Sequence, residues 1–352
     1  MCAMKTTLAA IAVLCSLAVI PARLVGQQQA PAGQPPPGIT VDPTTPKKHV
    51  LVLAFTNGFY HGSTTDGAAT IWQLGRESNL FDVDIRTDTK WITKGDAGPG
   101  ESRNLNWYDA IVAINTTGTW PLDDQQKKDF ISFVHDDGKG FVAAHAALDA
   151  NHNGAWPEFT DMLGGEFWHH PWYVFAAPVV VEDPAFPAMR HFTSTHLTLY
   201  DEMYVPRMET FSRDKVNVLL RMDESRLPPP GLQEPYKSQA LVSAQAAGAI
   251  KAGDQPGFMP GTAPPGAAGG RGGGGRGNAT GVQGENGIPG LRPDHDFAIA
   301  WAKSYGKGRV FYSSLGHTRA AWQDPDVRKM YLEAIKWALR YTDGSTETHP
   351  KR

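Results

Sequence analysis

Histidines and acidic residues recur in this sequence where runs of apolar residues end. Six of them occupy such positions: His61, His145, His170, Asp201, Glu202 and His317. Neutral imidazoles can take up and return protons near pH 7, which suits proton abstraction from a carbon beside a carbonyl group. Imidazoles and a carboxylate can also bind a divalent metal ion that polarises such a carbonyl. The residue types therefore leave proton transfer and metal binding open.

These residues point to chemistry as a group rather than one by one. A single histidine at a strand end is most often a hydrogen-bonded structural residue. Asp201 and Glu202 would point to opposite sides of an extended segment, so at most one of them would face a common site. The sequence has no HExxH-type spacing. A metal site therefore depends on the fold bringing distant residues together.

The elements that would position these residues alternate along the first half of the chain. Four short, mostly apolar runs predict strands, at 49–56, 81–86, 108–115 and 140–145. Segments 63–79 and 123–135 predict amphipathic helices between them. Repeated strand and helix units predict an α/β fold, with a doubly wound, mostly parallel sheet and helices on both faces.

The second half of the folded region is less regular. Extended segments are predicted at 173–182, 197–205 and 216–222. A C-terminal β-hairpin is predicted from 297–303 and 309–314 around Gly306-Lys307-Gly308, followed by a helix over 325–340. In open α/β sheets, ligands bind beyond the carboxyl ends of the strands. We therefore expect the histidines and one acid to meet in a crevice there.

The N-terminal segment predicts export. Residues 1–26 carry Lys5, an apolar run from Leu8 to Ile20, and small residues before Gln27, which is the pattern of a secretory signal peptide. The run is shorter than the ~20 apolar residues of a membrane-spanning helix, so we expect no stable membrane anchor after cleavage. The predicted location is secreted or periplasmic. Residues 27–46 are rich in Pro and Gln and predict an extended linker.

The folded domain is predicted to span 47–343, with an insertion at about 226–293 that is rich in Gly and Pro. That segment includes the run GGRGGGGRG and offers little to bury, so we expect most of it to be disordered. The whole chain has 33 basic and 36 acidic side chains and a net charge of −3. This balance gives no general attraction to phosphate backbones, and we expect no nucleic-acid partner.

Five segments resemble the ThuA-like (trehalose utilisation) family, in the family's order. They read GFYHGS, GKGFVAAHAAL, LGGEFWHHP, YDEMY and YGKGRVFYSSLGHTRAAWQDP. The resemblance covers Lys47 to Asp223 and His295 to Tyr341, which is nearly the whole predicted folded region. The glycine-rich insertion departs from the compact family pattern.

The resemblance also implies what the fold is and what chemistry is absent. The family is similar in fold to class I glutamine amidotransferases, which implies a glutamine amidotransferase-like or flavodoxin-like architecture. Those enzymes place a nucleophilic cysteine on a tight turn after a strand. Here His145 takes that position, and His317 falls where the partner histidine is expected. Cys2 and Cys15 both lie in the N-terminal segment. Without a thiolate, thioester chemistry cannot run, so we expect no glutaminase activity.

The family resemblance implies carbohydrate utilisation, with trehalose or a keto-sugar as the substrate class. We expect an isomerase, lyase or hydrolase that acts on an oxidised sugar derivative by histidine-dependent proton transfer. His145 and His317 are the predicted proton-transfer residues, with Glu202 or Asp201 to orient or charge a histidine and with His61 and His170 to bind substrate or metal. The alternative is a non-catalytic carbohydrate-binding or scaffold module with the same crevice.

The remaining residues are assigned to binding. The predicted substrate-binding residues are Asn57, His61, Trp120, His170 and Asp201, although a tryptophan such as Trp120 is more often core packing. A divalent metal is a possible cofactor, with His145, His170, Glu202 and His317 as its candidate ligands. The predicted partner is a small-molecule sugar substrate.

Overall fold

A computed structural model describes residues 46–227 and 292–352. The predicted signal peptide, the predicted linker apart from residue 46, and most of the predicted insertion lie outside the described residues. No helix within the two described ranges is long and apolar enough to cross a membrane.

The described chain forms a large mixed sheet flanked by helices. Its strands are β1 Lys48–Leu53, β2 Phe81–Arg86, β3 Ala110–Ile114, β4 Gly140–Ala144, β5 Phe167–His169, β6 Val174–Val181, β7 His196–Glu202, β8 Val205–Pro206, β9 Asn217–Met222, β10 Ala298–Tyr305 and β11 Gly308–Ser313. Its α-helices are α1 Thr64–Ser78, α2 Asp124–His135, α3 Pro157–Leu163, α4 Arg319–Gln323 and α5 Pro325–Ala338. Short 3-10 turns lie at Leu105–Trp107, His145–Asp149, Pro187–Met189 and Glu224–Arg226.

Nine strands form one sheet in the order β2-β1-β3-β4-β11-β10-β9-β6-β7. The first five run parallel to their neighbours, with Val52 of β1 opposite Val112 of β3 and Val142 of β4 opposite Phe311 of β11. The last four are joined by antiparallel pairings. β5 and β8 pair separately. The predicted α/β fold is confirmed, and so is the C-terminal hairpin of β10 and β11.

The inner parallel strands β1, β3, β4 and β11 are largely buried on both faces, which explains their mostly apolar sequences, whereas the edge strand β2 is partly exposed. In β1, Val50 and Val52 face one core while Leu51 and Leu53 face the other, as the two-residue repeat of a strand requires. Helices α1 and α5 cover the first face, and α2 and α3 cover the second. Each fully buried aliphatic side chain contributes roughly 1.5–3 kcal/mol.

The helices that border the strand ends begin at capped positions. The Thr318 hydroxyl accepts the backbone N–H of Ala321 at the start of α4. The Asp324 carboxylate accepts the N–H groups of Asp326 and Val327 at the start of α5. Such caps satisfy N–H groups that have no partner inside the helix, and each contributes about 1 kcal/mol. They fix where the segment that carries His317 enters the helices.

Candidate active site

The ends of β4, β7 and β11 bring three predicted site residues together. His145 follows β4 directly, in the left-handed region with φ of +47°, a conformation that is costly for a residue with a side chain. Glu202 is the last residue of β7, and His317 comes four residues after β11. Although β10, β9 and β6 lie between β11 and β7 in the sheet, the end of β7 contacts the segment after β11.

The three side chains form a close triangle of atoms. His317 Nδ1 lies 3.0 Å from Glu202 Oε2 and 3.1 Å from His145 Nε2. His145 Nε2 lies 3.5 Å from the same Glu202 oxygen. On its other side, His145 donates from Nδ1 to the backbone carbonyl of Ser314 at 2.7 Å. In the neutral imidazole this hydrogen bond leaves the lone pair on Nε2, which faces the centre of the triangle.

His61 completes the group from the loop before α1. Its ring centroid lies 5.0 Å from that of His145 and 5.2 Å from that of His317, and it is nearly perpendicular to both rings. Its Nδ1 is buried and makes no hydrogen bond within the described residues. Ligand-capable atoms of His61, His145, Glu202 and His317 all lie within 4.8 Å of one another. We call these four residues the histidine–glutamate centre.

His170 lies at the edge of this centre. Its Nδ1 is 3.4 Å from Glu202 Oε1, the oxygen that faces away from the triangle, and a quarter of its side chain is exposed. Its ring stacks on Tyr204. The neighbouring His169 is more isolated from acids, and burial followed by the charge of His170 lowers its pKa to about 4.

Burial and mutual charge set the ionisation of the centre. Burial, reinforced by the neighbouring imidazoles, lowers the pKa of His61 well below its usual value. Burial would lower the pKa of His317 as well, but the Glu202 carboxylate raises it. Burial opposes ionisation of Glu202, yet the charges of His317 and His170 hold its pKa well below the usual range. The carboxylate is therefore the negative member around which the imidazoles are arranged.

Asp201 has a different position from its neighbour. Its carboxylate accepts the backbone N–H groups of Gly316, His317 and Thr318 at 2.5, 3.1 and 2.9 Å. Its side chain is fully buried, and burial raises its pKa while these hydrogen bonds favour the charged form. Asp201 therefore anchors the segment that carries His317, and only Glu202 enters the centre, as the alternation of side chains along a strand requires.

Two predicted binding residues lie away from the centre. The Trp120 side chain is buried in the core against Phe130 and Phe159, and its indole N–H donates to the carbonyl of Thr116. The prediction that Trp120 binds substrate is therefore wrong, because its ring packs between core aromatic side chains and its indole N–H is already bonded to Thr116. Asn57 donates from its side chain to the Thr119 carbonyl at 2.9 Å, so it joins the loops that follow β1 and β3.

Tyr204 and Ser314 belong to the site but were not predicted. The Tyr204 ring lies 4.2 Å from the His145 ring, and its hydroxyl is 3.5 Å from His61 Nε2. Burial raises the pKa of Tyr204, so its hydroxyl stays protonated. The Ser314 hydroxyl accepts the Tyr204 backbone N–H at 2.6 Å. One signal was available for Tyr204, since a residue two positions after Glu202 in an extended chain lies on the same side.

The candidate metal ligands agree in three of four positions with the group that the structure brings together. His145, Glu202 and His317 occur in both sets, and His61 stands in the histidine–glutamate centre where the sequence suggested His170. His61 comes from the loop after β1 and its ring contacts His145 and His317, whereas His170 contacts the other oxygen of Glu202.

Fold and site together define a doubly wound α/β protein with a buried cluster of imidazoles and one carboxylate at the carboxyl ends of its strands. Two solved structures share this fold. A ThuA-like protein from Bacteroides uniformis is 18% identical, with a TM-score of 0.55, over 86% of this chain and 95% of that one. A ThuA-like protein from Parabacteroides merdae is 15% identical, with a TM-score of 0.50, over 87% and 93%. At these identities the likeness concerns the fold.

The family follows from the sequence match. The model of the ThuA family, described as trehalose utilisation, matches residues 49–252 and 279–338. The chain therefore belongs to the ThuA family, and its fold is the glutamine amidotransferase-like fold of ThuA-like proteins. The comparison with curated proteins finds no match.

Proposed function

We propose that this chain acts on a carbonyl-containing derivative of a disaccharide or monosaccharide, such as a keto-sugar, by proton transfer beside the carbonyl. The observation that carries the proposal is the meeting of three imidazoles and a buried carboxylate, with ligand-capable atoms within 4.8 Å of one another. Such clusters of perturbed titratable groups are concentrated at active sites. The carbohydrate substrate class rests on the family's description as trehalose utilisation.

The proposed reaction needs no outside oxidant or reductant. An imidazole takes a proton from the carbon beside the carbonyl, and the electron pair of that C–H bond moves to the carbonyl oxygen to give an enolate. Return of the proton to the neighbouring carbon of an enediolate isomerises the sugar. Alternatively, the enolate electrons re-form the carbonyl while a C=C bond forms to the next carbon, whose oxygen substituent leaves with its bonding electron pair. That oxygen takes the proton from the imidazolium, and the sugar is cleaved. Isomerase and lyase outcomes therefore share the first step.

Three imidazoles that adjoin Glu202 are the candidates to move this proton: His145, His170 and His317. Glu202 orients them and supplies the negative charge that stabilises an imidazolium after proton uptake. His61 and Tyr204 contact this group and contribute a ring nitrogen and a hydroxyl. No cysteine lies in the described residues, so glutaminase chemistry has no nucleophile here.

The test is exchange of the proton beside the carbonyl. Oxidised disaccharides and monosaccharides are incubated with the full chain in D2O and followed by NMR. We expect deuterium to enter at the carbon beside the carbonyl, with or without release of a product. The Glu202→Gln variant should slow this exchange about 10²- to 10⁴-fold. The exposed Glu209→Gln variant is the matched control and should behave like the wild type.

Two outcomes would overturn proton-transfer catalysis. In one, sugars bind to the wild type but no deuterium enters, which would support a non-catalytic carbohydrate-binding module. In the other, the exchange proceeds equally fast in the Glu202→Gln variant, which would place the reacting groups outside the centre.

Export is part of the same proposal. It rests on the signal-peptide pattern of residues 1–26. Mass spectrometry of the chain recovered from a bacterial host should show a mature N-terminus within a few residues of Gly26. A full-length chain retained in the cytoplasm would contradict export without affecting the proposed reaction.

A further inference from the structure

We propose that His61, His145, Glu202 and His317 bind one divalent transition-metal ion. The proposal deepens the function above, since an ion at this centre would lie where the carbonyl group must be polarised. The role given to the ion rests on that function, whereas the evidence for ion binding is the geometry of the ligand atoms alone.

The spacing of the ligand atoms fits a single ion. The edges of the triangle formed by His145 Nε2, His317 Nδ1 and Glu202 Oε2 measure 3.0, 3.1 and 3.5 Å. Zinc bonds to imidazole nitrogen and carboxylate oxygen are about 2.0–2.2 Å long, so two ligands of a tetrahedral ion lie about 3.3–3.6 Å apart. An ion slightly above the plane of the triangle can therefore reach all three atoms.

Hydrogen bonds alone do not explain this triangle, because it holds more acceptor atoms than N–H donors. The Nδ1–H of His145 donates to Ser314, so the Nε2 of the neutral ring is an acceptor. The Glu202 oxygen is also an acceptor, so the Nδ1–H of His317 is the one donor in this triangle and can serve only one of the two acceptors. The remaining pair of acceptors then face each other at 3.5 Å. A cation between them converts this repulsion into attraction.

The surroundings of His145 match those of a metal ligand. Metal-binding histidines almost always donate their second ring N–H to a carbonyl or carboxylate, which fixes the tautomer and the ring orientation. The Ser314 carbonyl does this for His145. Asp201 holds the backbone at His317 through three N–H groups, so the loop that carries the second ligand is fixed as well.

His61 can supply the fourth ligand. The three imidazole rings are separated by 5.0, 5.0 and 5.2 Å between centroids, and their planes are 74° to 90° apart. Large angles between the ring planes allow three imidazoles to approach one ion without overlapping. Buried Nδ1 of His61 has no hydrogen-bond partner in the described chain, an arrangement that otherwise costs about 1–3 kcal/mol.

The charges in and beside the histidine–glutamate centre favour a cation. Asp201 and Glu202 are both buried, and no Lys or Arg in residues 46–227 or 292–352 forms an ion pair with either. Buried charges are costly unless they are paired or coordinate a metal. Three imidazoles with one carboxylate suit Zn²⁺, Fe²⁺ or Ni²⁺, whereas Mg²⁺ and Ca²⁺ prefer oxygen ligands.

Metal binding would reduce the candidate proton-transfer residues to one. The lone pairs of His145 and His317 would then be engaged, and His170 would be the remaining imidazole in contact with Glu202. Its partial exposure allows it to meet a substrate carbon directly.

The experiment measures metal binding by the full chain after removal of any purification tag. Protein stripped with a chelator is titrated with ZnCl2 by calorimetry, and metal content is measured after dialysis. We expect one Zn²⁺ per chain. His61→Gln and His317→Gln should each weaken the affinity at least ~100-fold, since loss of an outer partner alone costs about 10- to 100-fold. His196→Gln, an exposed histidine on β7, is the matched control and should bind like the wild type.

Co²⁺ provides a second readout that needs no variant. Bound at this centre, it should show the strengthened visible absorption of an ion held by imidazole nitrogens. Absence of stoichiometric Zn²⁺ binding by the wild type, unchanged affinity in both ligand variants, or a Co²⁺ spectrum like that of the aqueous ion would each overturn the proposal. These readouts do not use turnover, so their failure leaves proton transfer by His145 and His317 standing, and failure of the sugar exchange leaves the metal site standing.

Discussion

At the scale of single residues, the centre depends on neighbours with opposite orientations. Asp201 and Glu202 are adjacent, yet one bonds to backbone N–H groups while the other contacts imidazoles. The alternation of side chains along a strand predicted that at most one would face the crevice. The sequence could not tell which one, because that depends on where the segment after β11 lies relative to the end of β7.

Removing the Asp201 carboxylate should destabilise the fold and loosen His317. In Asp201→Ala, three buried backbone N–H groups lose their acceptor, and hydrogen bonds to a charged group contribute about 1.5–3 kcal/mol each before relaxation. We expect the free energy of unfolding to fall by about 2–4 kcal/mol in a urea titration. Asp214→Ala removes an exposed carboxylate and should change it by less than about 0.5 kcal/mol. Equal effects in the two variants would show that Asp201 does not anchor this segment.

At the scale of elements, local sequence patterns predicted individual strands and the hairpin, but they did not predict which distant strands pair. The apolar runs predicted β1 to β4, and the turn around Gly306 predicted the hairpin of β10 and β11, because these signals are local. The order β9-β6-β7 and the separate pairing of β5 with β8 were not predicted. Those pairings join distant segments, and no local pattern specifies them. Trp120 was misassigned for a related reason, since only the tertiary packing shows that its ring is sealed.

Close packing of α1 on the sheet should depend on Gly67. A Cβ at this position would lie 2.8 Å from the Trp322 ring and 2.9 Å from Ile114. Alanine favours helices by about 1 kcal/mol over glycine, but the forced shift of two buried side chains costs about 1–3 kcal/mol. We therefore expect Gly67→Ala to lower the melting temperature. Gly62→Ala is the control, because nothing lies within 4 Å of its Cβ. A rise in the melting temperature of Gly67→Ala would contradict this packing.

At the scale of the whole molecule, a long segment connects two strands, β9 and β10, that are neighbours in the sheet. β9 and β10 pair antiparallel, with Arg221 opposite Ala298, so the strands on either side of this segment are hydrogen-bonded neighbours. A loop between adjacent strands can change length at a small entropic cost, about 0.6 kcal/mol for each doubling. The segment itself lies outside the described residues, and its low apolar content is known from the sequence.

Deleting residues 257–287 should therefore leave the fold intact. The remaining residues still exceed what is needed to connect β9 to β10. We expect the thermal transition, followed by circular dichroism, to stay within about 2 °C of that of the full chain. A large drop would show that the deleted residues contribute buried surface, contrary to the composition.

The most direct test of a shared centre is a crystal structure of the zinc-soaked protein, with diffraction data collected at the zinc absorption edge. We expect one anomalous peak about 2.0–2.2 Å from His145 Nε2, His317 Nδ1 and Glu202 Oε2, with a ring nitrogen of His61 completing the ligands. A peak bound by other residues, or electron density that places these four side chains in separate surroundings, would contradict the histidine–glutamate centre.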